Sequence, residues 1–215
     1  MDILSTVLLL ITGILALVMG ALLIKEYLSS KNLAHLAWSI GFIVLFASGL
    51  LIIIFDFAIL TEPLVPVVAA LIPGTLAIGL LFAVWPDKPY GLLYTIYTVV
   101  VVGSLAIVRI APELSSFSTP VLMAIHIPSG LLIVIIPIIT AWQKETEITS
   151  IFFGIGGLLI STGGILLAFL KLGSPILTQE QIFAVLPLLL VLVGIFFVLG
   201  IILPSKWKIE IPLLG

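Results

Sequence analysis

Seven uninterrupted apolar runs dominate this chain, and each is long enough to cross the hydrocarbon of a bilayer as a helix, which takes about 20 residues. They cover residues 3–24, 33–55, 66–85, 90–110, 120–142, 148–170 and 182–203. The runs are apolar without alternation, whereas a membrane barrel requires alternation, so strands are not expected. Only 8% of the residues are charged, against roughly 25% in a soluble domain, so no water-facing shell can be built. The predicted fold is all-α: a polytopic membrane bundle of seven transmembrane helices forming one domain over residues 1–215.

The boundaries between runs are marked by polar residues and proline. Lys25-Glu26-Tyr27 and Lys31 follow the first run, and Glu62-Pro63 precede the third. Pro86-Asp87-Lys88-Pro89 end the third run, Pro112-Glu113 follow the fourth, and Pro204 stops the seventh. Ser118-Thr119-Pro120 read as a cap with proline in the first turn, and Thr178-Gln179-Glu180-Gln181 as a capping box. The first run is longer than a signal peptide's apolar region, and Asp2 is the only charge before it, so it is read as a retained span. Short connections make consecutive helices antiparallel neighbours.

Lysine sets the expected direction. Lys25, Lys31, Lys88, Lys144, Lys206 and Lys208 fall on one side, and Arg109 and Lys171 on the other. Positive residues mark the cytoplasmic face, which puts the N-terminus outside and the C-terminus in the cytoplasm of a multi-pass cell-membrane protein. Trp38, Trp85, Trp142 and Trp207 fall at the same inner boundary, where indoles are expected to form an interfacial belt.

Several chemistries are excluded. With no cysteine there is no thiol or disulfide chemistry, and a net charge of −2 offers no surface for nucleic acid. The two histidines, His35 and His126, lie at opposite depths and cannot jointly ligate a haem or build a zinc hydrolase site. The seven-span plan resembles retinal proteins, but the seventh helix has no lysine for a Schiff base. No Asp or Glu lies in the middle third of any span, which argues against a proton-coupled carrier. No metal or cofactor is expected.

The remaining candidates are few. Asp56 ends the second helix, Arg109 lies in the last turn of the fourth, and His126 lies in the outer half of the fifth with Ser129 and Gly130 on its face. An Asp56–Arg109 pair is expected, making this end a candidate ligand site. Tyr90, Tyr94 and Tyr97 form a stripe on the fourth helix, and Tyr94 and Tyr97 need partners from Thr98 or a neighbouring helix, or line an aromatic cavity. Pro73, Pro128, Pro137 and Pro187 free the carbonyls of Ala69, Ala124, Ile133 and Phe183, with Pro73-Gly74 the expected hinge. Gly157, Ser161 and Gly164 share a face of the sixth helix and are expected to pack closely on a neighbour. Ile40-Gly41 through Gly49-Leu50-Leu51 repeats as Ile155-Gly156 through Gly164-Ile165-Leu166, which suits a three-plus-one-plus-three duplication.

The expected function is that of a non-enzymatic subunit or scaffold of a larger membrane complex. It would contact lipids and other membrane subunits or a second copy. The alternative is a transporter or sensor for a small apolar ligand at the Asp56/Arg109/His126 end. The assigned direction is checked by introducing single cysteines into this cysteine-free chain. In intact cells a membrane-impermeant maleimide labels Glu113→Cys, while Lys88→Cys reacts only after permeabilisation. The reverse pattern inverts the topology.

Overall fold

A computed structural model describes residues 2–171 and 176–204. It is all-helical, with no strand among the described residues, and seven of its helices are long and apolar enough to cross a membrane. The helices are α1 (Ile3–Ser30), α2 (Leu33–Phe55), α3 (Val65–Val84), α4 (Tyr90–Ile110), α5 (Ser118–Trp142), α6 (Ile151–Lys171) and α7 (Gln179–Ile202). Three short 3₁₀ turns, Phe57–Thr61, Pro112–Phe117 and Ile148–Ser150, complete the connections. The protein is an integral membrane protein of multi-pass type.

Helix ends differ from the expected ones where capping outweighs hydropathy. α1 continues past Ile24 to Ser30, because charged residues do not stop a helix once it has left the hydrocarbon. It ends where Lys31 adopts φ 56° and its N–H returns to the Tyr27 carbonyl. At its start, the Ser5 N–H and hydroxyl both donate to the Asp2 carboxylate, at 2.6 and 3.1 Å. The Ser5 N–H, and then its hydroxyl, hold that carboxyl below its ordinary pKa. α7 begins three residues earlier than expected, at Gln179, because the Thr178–Gln181 capping box closes in both directions. The Ser118-Thr119 cap does not form. α5 already starts at Ser118, whose hydroxyl donates instead to the Val108 carbonyl of α4 at 3.4 Å. α6 starts at Ile151, after the 3₁₀ turn takes up Ile148–Ser150.

Six helices close a ring in the order α1, α2, α3, α5, α6, α7 and back to α1, while α4 lies outside against α3 and α5. Accordingly α3 is the most buried span and α4 the least. One apolar core draws buried residues from all six ring helices, centred on Trp38, Phe42, Phe153 and Phe197. Trp38 is therefore not a belt residue. It is fully buried, its Nε1–H donates to the Leu76 carbonyl at 3.2 Å, and its ring meets Phe153 at 5.8 Å. A hydropathy boundary cannot tell a tryptophan facing the bundle from one facing lipid. Trp142 is 87% exposed and matches the belt position, whereas Trp207, Lys206 and Lys208 lie outside the described residues.

The ring has an internal two-fold likeness. A methyl group added to Gly79 of α3 would stand 2.4 Å from the Trp38 ring of α2, and one added to Gly41 would stand 2.7 Å from the Thr75 hydroxyl and 3.5 Å from Leu76. In the second half, a methyl on Gly200 of α7 would stand 2.2 Å from the backbone of Phe153 of α6, and one on Gly156 would stand 2.8 Å from Phe197. Trp38 and Gly41 have the spacing of Phe153 and Gly156, and Leu76 and Gly79 that of Phe197 and Gly200. Gly13 of α1 facing Phe46 of α2 is repeated by Gly130 of α5 facing Ser161 of α6, in the same register. The α3–α5 seam corresponds to the α7–α1 seam, and Trp38 meets its counterpart Phe153 at the centre. These contacts fit the expected three-plus-one-plus-three order, in which α4 is the unrepeated helix.

Close backbone approach at small residues is what holds helices together in lipid, where the hydrophobic effect between them is lost. Gly200→Ala drives a methyl into the Phe153 backbone and is expected to cost about 1–3 kcal/mol. Gly103→Ala, on α4 with no neighbouring atom within 4 Å, is expected to be neutral. Thermal unfolding of the two variants in the same detergent checks the contrast.

Candidate functional site

The odd helix α4 is seated on the ring by two glycines. A methyl on Gly91 of α4 would stand 2.6 Å from the Phe82 ring of α3, and one on Gly74 of α3 would stand 2.8 Å from Thr98 of α4. The structure thus places the expected Pro73-Gly74 hinge at a tight helix contact, with both residues buried. Thr98 is buried against it, and its hydroxyl has no hydrogen-bond partner.

Two tyrosines then tie α4 to α5. The Tyr94 hydroxyl and Ser129 Oγ share a hydrogen bond of 2.8 Å. The Tyr97 hydroxyl donates to the Ala124 carbonyl. Ala124 stands four residues before Pro128, so this is the carbonyl that the missing proline N–H leaves without a helical donor. In hydrocarbon no water can replace that donor. Tyr97 supplies it from the neighbouring helix.

Between these contacts and the end of α3 lies a cavity of about 440 Å³, lined by Leu81, Trp85, Tyr90, Leu93, Tyr94, Tyr97, Leu132 and Ile136. Its size falls within the range of roughly 300–1,000 Å³ found for small-molecule sites. Trp85 meets Tyr90 edge to face at 5.6 Å, and the Tyr94 and Tyr97 rings lie 5.3 Å apart. Tyr90 and Leu93 are exposed on its outer edge, so the groove opens sideways, toward where lipid would lie.

The structure separates the other expected site residues from this groove. His126 turns to its own helix, with Nδ1 3.0 Å from the Leu122 carbonyl, and makes no bond to Ser129. Asp56, at φ 59°, accepts the Phe57 N–H at 2.7 Å and caps the following 3₁₀ turn. The expected Asp56–Arg109 pair is absent among the described residues, and Arg109 Nε and Nη2 are buried without a hydrogen-bond partner. Sequence depth placed the two residues in one leaflet but said nothing of the lateral distance between α2 and α4. On α6, Gly157 lies under Ile133 of α5 and Ser161 faces Gly130, while nothing stands within 4 Å of a methyl on Gly164. Gly164 is the counterpart of Gly49, which is equally open.

Four residues of the groove, Leu81, Leu93, Leu132 and Ile136, carry no mark in the sequence, since an aliphatic residue reads the same wherever it faces. The chain matches no protein-family model, no curated protein and no solved structure.

The Tyr97 bond has a measurable signature. Tyr97→Phe leaves the Ala124 carbonyl unpaired and is expected to cost about 1–3 kcal/mol. Pro128→Ala restores a backbone N–H four residues on, so in that background the same Tyr97 substitution is expected to cost much less. A double-mutant cycle on thermal unfolding reads the difference, and additive effects would show that Tyr97 does not serve this carbonyl.

Proposed function

We propose that this is a non-enzymatic membrane protein that holds a small, uncharged, membrane-dissolved molecule in the lateral groove between α3, α4 and α5. The observation that carries the reading is the aromatic-walled cavity of about 440 Å³ beside a closely packed ring. The centre of the ring is filled by Trp38, Phe42, Phe153 and Phe197, which supports retention or sensing of a ligand at the side over passage through the middle. The lysine distribution supports the cell membrane, with the C-terminus in the cytoplasm.

A role as subunit of a larger membrane assembly is favoured by a separate observation. α4 covers the α3–α5 seam, whereas among the described residues no helix lies over the equivalent α7–α1 seam. A transmembrane helix of a partner would complete the second half as α4 completes the first.

The groove reading predicts that protein purified in mild detergent carries a small apolar molecule at near-stoichiometric amount. Leu132→Trp, which fills the groove, is expected to lose it while keeping wild-type thermal stability to within a few degrees. Organic extraction followed by mass spectrometry makes the comparison. Equal content in the two proteins sinks the reading. For the assembly reading, native mass spectrometry that finds only the monomer, with no co-purifying protein, counts against it.

A further inference from the structure

We propose that the molecule held in the groove is an uncharged lipid with no polar headgroup, bearing a carbonyl on a flat ring, of the quinone class. This rests on the groove-binding reading above. It follows from a count of hydroxyl hydrogens, from depth, and from the groove walls.

The Tyr94 and Ser129 hydroxyls carry one hydrogen each, and their mutual bond uses one of them. Among the described residues neither hydroxyl has a further hydrogen-bond partner, and Ser129 is completely buried. An unmatched donor in an apolar medium costs roughly 2 kcal/mol or more. If Tyr94 donates, the spare hydrogen is sealed beneath it on Ser129. If Ser129 donates, the spare hydrogen belongs to Tyr94, which lines the groove. An occupant with an acceptor oxygen settles the pair in the second arrangement. Tyr97 offers no competing hydrogen, since its own goes to the Ala124 carbonyl. A carbonyl suits the position better than a hydroxyl, which would bring another hydrogen needing a partner.

Depth identifies the source of that carbonyl. Ser129 lies eleven residues from Ser118, the first residue of α5, and thirteen from Trp142, the last. At 1.5 Å per residue these are about 16 and 20 Å along α5, while Tyr94 stands four residues, about 6 Å, past Tyr90 at the start of α4, so the pair lies inside the hydrocarbon layer rather than at its edge. The ester carbonyls of a glycerolipid are tied to its headgroup at the membrane surface. A molecule without a headgroup is free to bring its carbonyl below the surface, into the hydrocarbon. A cation facing the aromatic walls is disfavoured at this depth, because no acidic residue lines the groove. Two aromatic pairs, Trp85–Tyr90 and Tyr94–Tyr97, offer edges and faces to a planar ring. The sideways opening leaves an apolar tail in the lipid.

The test measures equilibrium binding of radiolabelled decylubiquinone and its deoxy analogue, a decyl-dimethoxytoluene, to the protein in phospholipid nanodiscs, with empty discs subtracted. The two probes share the decyl tail, the methyl and the two methoxy groups on a six-membered ring and differ in the two ring carbonyls. Decylubiquinone is expected to saturate at one per protein and to bind roughly five- to tenfold more tightly than the deoxy analogue. Tyr94→Phe is expected to remove that advantage, and Ser129→Ala, which leaves the Tyr94 hydrogen in place, to keep most of it. Equal binding of the two probes to the wild-type protein, lost for both in Leu132→Trp, overturns the carbonyl assignment and leaves the groove reading standing. This arm needs no folded Tyr94 variant. A phospholipid retained by the wild-type protein, lost in Leu132→Trp and not displaced by decylubiquinone, overturns the headgroup-free assignment alone. Absence of saturable binding by either probe, or binding unchanged in Leu132→Trp, overturns both readings.

Discussion

A backbone carbonyl without a donor has no water to turn to inside a bilayer, and each proline within a span creates one. In α5 the protein answers one of the two with a hydrogen bond: Tyr97 crosses from α4 to the Ala124 carbonyl freed by Pro128. Farther along, Pro137 frees the Ile133 carbonyl, and glycine at 154 lets the α6 backbone lie close, since a methyl there would stand 3.8 Å from that oxygen and 3.1 Å from the next. The Pro128 defect thus ties α5 to α4. The groove exists because Tyr97 and Tyr94 must reach α5 with their hydroxyls, which leaves their rings, with Trp85 and Tyr90, as a wall rather than as core.

The ring of six helices also explains where an asymmetric feature can arise. Its halves share one close contact in matching register, Trp38 on Gly79 and Phe153 on Gly200, and meet where those two aromatic rings touch. A structure built this way packs its centre with its largest side chains and keeps no polar path there among the described residues. Only α4 lacks a counterpart. The aromatic groove is formed against it, so the candidate site lies on the side where the two-fold likeness is broken.

At the ring's other polar feature, a hydroxyl chain closes the α5–α6 connection. Thr140, Thr146 and Ser150 bond in series at 3.0 Å each, ending on the Ile136 and Pro137 carbonyls. Each of those three oxygens has a partner, whereas the Thr149 hydroxyl in the same connection, like the Thr98 hydroxyl and Arg109 Nε and Nη2 on α4, is buried without one.

The sequence by itself determined the class, the number of spans and the α7 cap, because hydrocarbon length, apolar content and local capping are properties of contiguous residues. It also exposed the freed carbonyl of Ala124 and the tyrosine stripe, since both follow from spacing along one helix. It could not join them. Which tyrosine meets which carbonyl, whether Trp38 faces lipid or core, and whether Asp56 reaches Arg109 depend on lateral placement and rotation of helices. Nearly every residue on these spans is apolar on all sides, so periodicity carries little of that information. Only the packed structure, through glycines that admit one neighbour and exclude another, decided it.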